Sequence, residues 1–224
     1  MSGCDVANAL QVLKRNDTAT GEPFSVEPAA VAKRAYKNAA LRLLCATGEA
    51  EFLKDALQRF RAADNMTDST AAISAVLNID CAERSTLLEE FYKKWENEEL
   101  VVLKWLTMHA MSEVPNNLAT IREMLSHPKF KITNPNSCYS LLLATSQSAV
   151  NFHAADGSGY EFLADMVLKV DAVNPQVAAR LAAPFSACSQ VDKRRQALMQ
   201  VQLTRILAHE GLSENVQEIV SKSL

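Results

Sequence analysis

Only six glycines occur in the 224 residues, and few stretches alternate β-branched with polar residues as a half-buried strand would. Sharp turns and sheet edges are therefore scarce. Apolar residues recur instead at spacings of three and four, the period of one helix face. Leu87, Leu88, Phe91, Tyr92 and Trp95 form one such set, and Tyr36, Ala40, Leu43 and Leu44 a second. The chain is expected to be nearly all α.

Helix boundaries follow from capping chemistry. Asn134-Pro135 and Asn174-Pro175 each place an N-cap acceptor before a residue pre-set for the first turn. Asn65, with Asp68 three residues on, has the form of a capping box, and Glu27-Pro28 opens another helix with Gly48 available at its end. Asp156-Gly157-Ser158-Gly159 is a polar approach to the apolar set Tyr160, Phe162, Leu163, Met166 and Val167. Expected helices span 28–46, 50–63, 67–78, 82–96, 99–111, 117–126, 136–149, 159–170, 175–186, 192–209 and 214–223, while residues 16–25 (NDTATGEPFS) form a polar linker. Connections of about two to eight residues favour antiparallel neighbours. Either a compact bundle or a stack of helix pairs satisfies this pattern, and no fixed-period repeat of the tetratricopeptide or ankyrin kind decides between them.

Composition excludes several partners. The net charge is −3 with the two signs interspersed, so there is no basic stripe for phosphate contacts and no nucleic-acid partner is expected. No apolar run approaches the roughly 20 residues needed to span a bilayer, and the N-terminus lacks a basic region followed by an apolar core. A chain of this length buries roughly 70% of its unfolded surface, enough for a core without staples. Cys4, Cys45, Cys81, Cys138 and Cys188 are odd in number and irregularly spaced, which points to free thiols in a reducing, cytoplasmic compartment.

The chain was tested for chemistry of its own. A zinc exopeptidase needs two histidines four apart on a helix with a glutamate beside the first, plus a third ligand. The histidines are His109, His127, His153 and His209; His209-Glu210 begins such a motif, but the fifth position is Ser213 and Gly211 ends the helix. His153 and Asp156 share a loop but are too few for a metal site, and are expected to belong to a capped, hydrogen-bonded turn. Gly157-Ser158-Gly159 has neither the preceding strand nor the following lysine of a phosphate loop. No Gly-x-Ser-x-Gly elbow and no Cys-x-x-Cys pair occurs. Lys193-Arg194-Arg195 begins a helix and is expected to be solvated, with Asp192 as an ion-pair partner. No catalytic residue and no metal ligand is assigned.

Six segments together resemble the C-terminal helical domain of bacterial-type aminopeptidase N, a family of zinc metallo-aminopeptidases. They are VAKRAYKNAALRLL (31–44), ADNMTDSTAAISA (63–75), YKKWENEELVVLKW (92–105), NPN (134–136), FHAADGSGY (152–160) and NPQVAARL (174–181). The resemblance covers about residues 26–224 and is loose before that, so residues 1–25 are taken as an N-terminal helix and linker remnant. It implies a superhelical, solenoid-like array of antiparallel helix pairs, without catalytic function of its own, that encloses the active-site chamber and lines the substrate channel. It also implies that zinc and the catalytic residues lie in a preceding part of a longer polypeptide, that Met1 lies near a cut in that polypeptide, and that the partners are that catalytic domain and peptide substrates. The family's glycine-alanine-methionine-glutamate-asparagine motif is absent here. An arginine matching Arg180 faces the cavity in the family and meets the carboxylate end of a bound peptide, a role suited to a permanently charged, bidentate group. A second cavity arginine of bacterial relatives corresponds to Tyr139, which offers a hydrogen bond without charge. The alternative is an independent armadillo- or HEAT-like scaffold that binds partner proteins on a concave face.

Overall fold

The computed structural model of the chain describes residues 3–17 and 24–224; part of the expected 16–25 linker lies outside them. The described residues form thirteen α-helical segments and no strand, so the all-α expectation holds. They fall into two compact units, Met1–Lys94 and Trp95–Leu224.

The first unit holds α1 (Gly3–Asn16), α2 (Pro28–Cys45), α3 (Ala50–Ala62), α4 (Met66–Val76) and α5 (Ala82–Trp95, its last residue belonging to the second unit). Helix α2 packs against α1, α3 and α4, and α3 packs on α4. Leu41, Leu44, Phe52, Phe60, Ile73, Leu87 and Phe91 are buried between them, with the Phe60 and Phe91 rings 6.5 Å apart. Asn65 caps α4 by accepting a hydrogen bond from the Asp68 amide at 2.9 Å, as the capping box predicts.

The stripe expected on α2 is corrected by the structure. Tyr36 and Leu43 are 63% and 50% exposed, and the inward face is Arg34, Lys37, Ala40, Leu41, Leu44 and Cys45. An alanine-rich helix carries two apolar stripes, and the choice between them is made by polar partners. Lys37 Nζ meets Asp68 Oδ2 at 2.7 Å, and Asn38 donates to Asp68 Oδ1 at 2.9 Å. Burial opposes the Asp68 charge, but the hydrogen bonds from Lys37, Asn38 and Asn65 prevail and hold its carboxyl below the usual carboxylate range.

The second unit holds α6 (Glu99–Met111), α7 (Leu118–Met124), α8 (Pro135–Cys138), α9 (Ala149–Phe152), α10 (Ser158–Asp171), α11 (Pro175–Ala182), α12 (Lys193–Leu207) and α13 (Glu214–Ser221). Helix α10 is its centre, burying Tyr160, Phe162, Leu163, Met166 and Val167 and packing on α9, α11 and α12, while α11 also packs on α13.

Two expected helices are interrupted. The helix placed at 136–149 runs from Pro135 to Thr145, with Tyr139–Leu143 wound as a π-helix, and stops before a turn at 146–147. Its end is polar: Thr145 Oγ1 and Ser146 Oγ donate back to the carbonyls of Leu141 and Leu143 at 2.8 and 2.7 Å, and Ser148 Oγ donates instead to the Ser112 carbonyl at 3.0 Å. Such side chains compete with the ladder that would continue the helix. The helix placed at 175–186 becomes a 3₁₀ segment, Ala183–Gln190, because Pro184 has no amide hydrogen to donate and its ring crowds the preceding turn.

Ser112, Asn117, Ser148 and Asn151 are all buried and fasten the 112–117 loop. Asn151 Nδ2 donates to the carbonyls of Ser112 and Val114, each at 3.1 Å, while its Oδ1 accepts from the Asn117 amide at 3.0 Å. Asn117 Nδ2 in turn donates to the His109 carbonyl at 2.7 Å. Both ends of the Asn151 amide group are engaged, so the loop is held without a regular element.

Candidate functional site

Both substrate-contact candidates lie in the second unit, and the structure brings them together. Helix α11 starts where Asn174 Oδ1 accepts from the Val177 amide at 3.1 Å, with Pro175 at its first position. Val177, Ala178, Leu181 and Ala182 turn inward, which leaves Arg180 on the exposed face. Tyr139, half-buried, opens the π-helical segment after α8. Asn134 caps α8 by accepting from the Asn136 amide at 2.9 Å and donates to Glu99 Oε1 at 3.2 Å. The NPN motif therefore fixes where Tyr139 emerges.

The Arg180 guanidinium carbon sits 4.9 Å from the centre of the Tyr139 ring. That is within cation–π range, an interaction worth about 0.5–1 kcal/mol at an exposed site. Among the described residues Arg180 makes no ion pair with a carboxylate, so the Tyr139 ring and not a salt bridge steadies it. A ring face steadies a guanidinium while leaving its in-plane N–H donors open, and those donors match the two oxygens of a carboxylate.

The remaining sequence candidates resolve into packing. Asp156 Oδ1 accepts from the Ser158 amide at 3.0 Å and hydroxyl at 2.7 Å, and these bonds hold its carboxyl below the usual range. His153 Nδ1 lies 2.7 Å from the Tyr160 hydroxyl, and Arg195 Nε donates to the His153 carbonyl at 2.7 Å. Burial first, and the Arg195 charge second, push His153 below the ordinary histidine value. Gly157 stands at φ 79°, and a Cβ on Gly159 would lie 2.4 Å from the Phe152 carbonyl oxygen, so the two glycines serve a left-handed turn and a close helix contact. Asp192 pairs with Arg195 at 2.7 Å, as expected, and also caps α12 by accepting from the Arg194 and Arg195 amides.

The described residues contain no group of three or more His, Cys, Asp and Glu side chains able to hold a metal ion. No described helix is long and apolar enough to cross a membrane. Sequence patterns missed a cleft of about 400 Å³ lined by Glu96, Glu99, Lys129, Lys131 and Asn134 beside the NPN motif, because its residues come from two separated segments.

The family described as "Domain of unknown function (DUF3458_C) ARM repeats" matches residues 6–224. Aminopeptidase N of Caulobacter vibrioides is 39% identical over 202 residues, covering 90% of this chain and 23% of the relative. Aminopeptidase N of Escherichia coli is 40% identical over 204 residues, with the same two shares. The crystal structure of Legionella pneumophila aminopeptidase A in complex with aspartic acid superposes with a TM-score of 0.87 at 25% identity, over 98% of this chain and 27% of that one. The chain thus spans about a quarter of the length of the curated relatives it matches. It belongs to the DUF3458_C family of helical ARM-repeat domains and corresponds to the C-terminal part of aminopeptidase N.

Proposed function

We propose that this chain is the non-catalytic, channel-forming part of a zinc aminopeptidase that removes N-terminal residues from peptides. Residues 26–224 form the helical domain that encloses the active-site chamber. Its partners are the catalytic part of the same polypeptide, which carries the zinc and the hydrolytic groups, and the peptides that pass through. The free thiols among the described residues support a reducing compartment, the cytoplasm, for the parent.

The observation that carries the proposal is the pairing of Arg180 with Tyr139 on a chain similar to aminopeptidase N. Arg180 is a solvent-facing cation with no carboxylate partner among the described residues, steadied by an aromatic face. In this reading it takes the C-terminal carboxylate of a peptide, and the Tyr139 hydroxyl supplies a neutral hydrogen bond where bacterial relatives place a second charge. One arginine in place of two weakens the hold on the carboxylate and speeds release.

The test is titration of this chain into the separately expressed upstream part of the same gene, with aminopeptidase activity on a short peptide as the readout. The expected result is no hydrolysis by the chain alone and restored or altered hydrolysis on mixing. Hydrolysis by the pure chain, or an upstream part without peptidase sequence, would overturn the proposal and favour the independent scaffold.

A further inference from the structure

The first unit contains a cleft of about 570 Å³, lined in part by residues of the 31–44 and 63–75 segments. Residues of α2 line one side of it, and Gln58 and Arg59 of α3 with the Ala63–Asn65 loop line another. Most of its charges are matched inside the wall. Arg59 is held by Asp17 at 2.7 and 3.1 Å and by Asp55 at 2.8 Å. Lys37 is paired with Asp68, whereas Asp64 takes only a neutral hydrogen bond from Asn65 at 2.9 Å.

Arg34 is different. It is 8% exposed, yet it has no carboxylate partner among the described residues. One terminal nitrogen donates to the Ser25 carbonyl at 2.8 Å, and the guanidinium carbon lies 4.7 Å from the centre of the Phe24 ring. Its Nε is buried with no hydrogen-bond partner. A carbonyl and a ring face orient a guanidinium but do not neutralise it, and an uncompensated buried charge or donor is costly. Lys33, on the same cleft wall, is exposed and also without a carboxylate partner.

We propose that this cleft is a carboxylate-binding site, with Arg34 as its anchor and Lys33 as a second cation at the rim. Two features bound the ligand. The volume lies within the usual range for small-molecule pockets and suits a ligand of two or three small residues. Glu27, exposed on the same wall, and Asp64, which has no cationic partner among the described residues, disfavour a second negative charge, so the preferred ligand is monoanionic. A peptide C-terminus and an acidic side chain offer the same group, and the experiment separates them. The site is in a different unit from Arg180 and Tyr139 and does not depend on the aminopeptidase proposal.

The test is an NMR titration of the whole chain, following the Arg34 Nε–H resonance and the α2 amides. Three ligands are compared: acetyl-trialanine as the free acid, the same peptide as its C-terminal amide, and an acetylated, amidated tripeptide with one central Asp. Saturable shifts of the Arg34 Nε–H with a carboxylate ligand are expected, about tenfold tighter than with the uncharged amide. Response to the free acid alone assigns the chain terminus, and response to the Asp peptide alone assigns the side chain. Arg34→Gln abolishes the response; should that variant fail to fold, the surface change Lys33→Gln weakens binding by about threefold at low salt and leaves the fold intact. Equal response to acid and amide, or none to any ligand at millimolar concentration, would overturn the proposal.

Discussion

Lys37 of α2 and Asp68 of α4 form a largely buried ion pair, 2.7 Å between Nζ and Oδ2, that ties two helices of the first unit together. Replacing Asp68 with alanine strands the Lys37 ammonium and frees two asparagine donors. A loss of about 3 kcal/mol in unfolding free energy is expected, as for one broken partner of a buried pair. Urea denaturation of the variant against the parent measures it.

The same carboxylate gives a pH signature. Its folded value is held below the usual range, so its contribution is full above the unfolded carboxyl value of about 3.9 and fades as pH falls through the lower folded value. The stability difference between the parent chain and Asp68→Asn should be flat above about pH 5 and narrow on acidification. A difference that widened on acidification would contradict this assignment.

Gly159 tolerates no side chain. An added Cβ would meet the carbonyl oxygens of Phe152 and Asn151 at 2.4 and 2.5 Å, and neither is a flexible side-chain tip. Gly159→Ala should cost about 3 kcal/mol or more, whereas Gly48→Ala, at φ 77° with nothing within 4 Å, should cost only about 1 kcal/mol. Melting temperatures of the two variants order them.

Thiol labelling should be site-selective. Burial, with lesser contributions from Asp55 and Cys81, pushes Cys45 up to about 12, and burial pushes Cys138 up to about 11. Both are buried, as is Cys188, while Cys81 is half-exposed. Iodoacetamide at mildly alkaline pH should modify Cys81 ahead of those three, and all of them at one rate once the chain is unfolded. Peptide mass spectrometry reads the order directly.

Arg180→Ala, in the reconstituted enzyme, is expected to raise KM about tenfold for peptides with a free C-terminus and to leave their amides unaffected, with kcat nearly unchanged. Equal effects on acid and amide would indicate a packing role for Arg180.

Cap chemistry made much of this fold legible in advance. Asn65, Asn134 and Asn174 each accept from an amide two or three residues on, because a cap is a local interaction written in adjacent residues. The inward face of α2 was not legible, since Lys37 and Asp68 are 31 positions apart and apolar periodicity alone favoured Tyr36 and Leu43. Arg180 and Tyr139 were each identified from resemblance, but their contact spans two elements and only the folded chain shows it. The Arg34 cleft was hidden for a related reason: an arginine on an alanine-rich helix looks solvated until its neighbours are in place.

The π-helical turn at Tyr139–Leu143 carries an evolutionary corollary. Each residue of an ordinary helix advances the face by about 100°, and a π turn accommodates roughly one residue more than an α turn. Deleting a single codon within this stretch would let the helix run on in regular register and swing Tyr139 away from Arg180, with no substitution at either position. Gene-length variation at this one turn is thus a route by which descendants of this chain can gain or lose the aromatic partner.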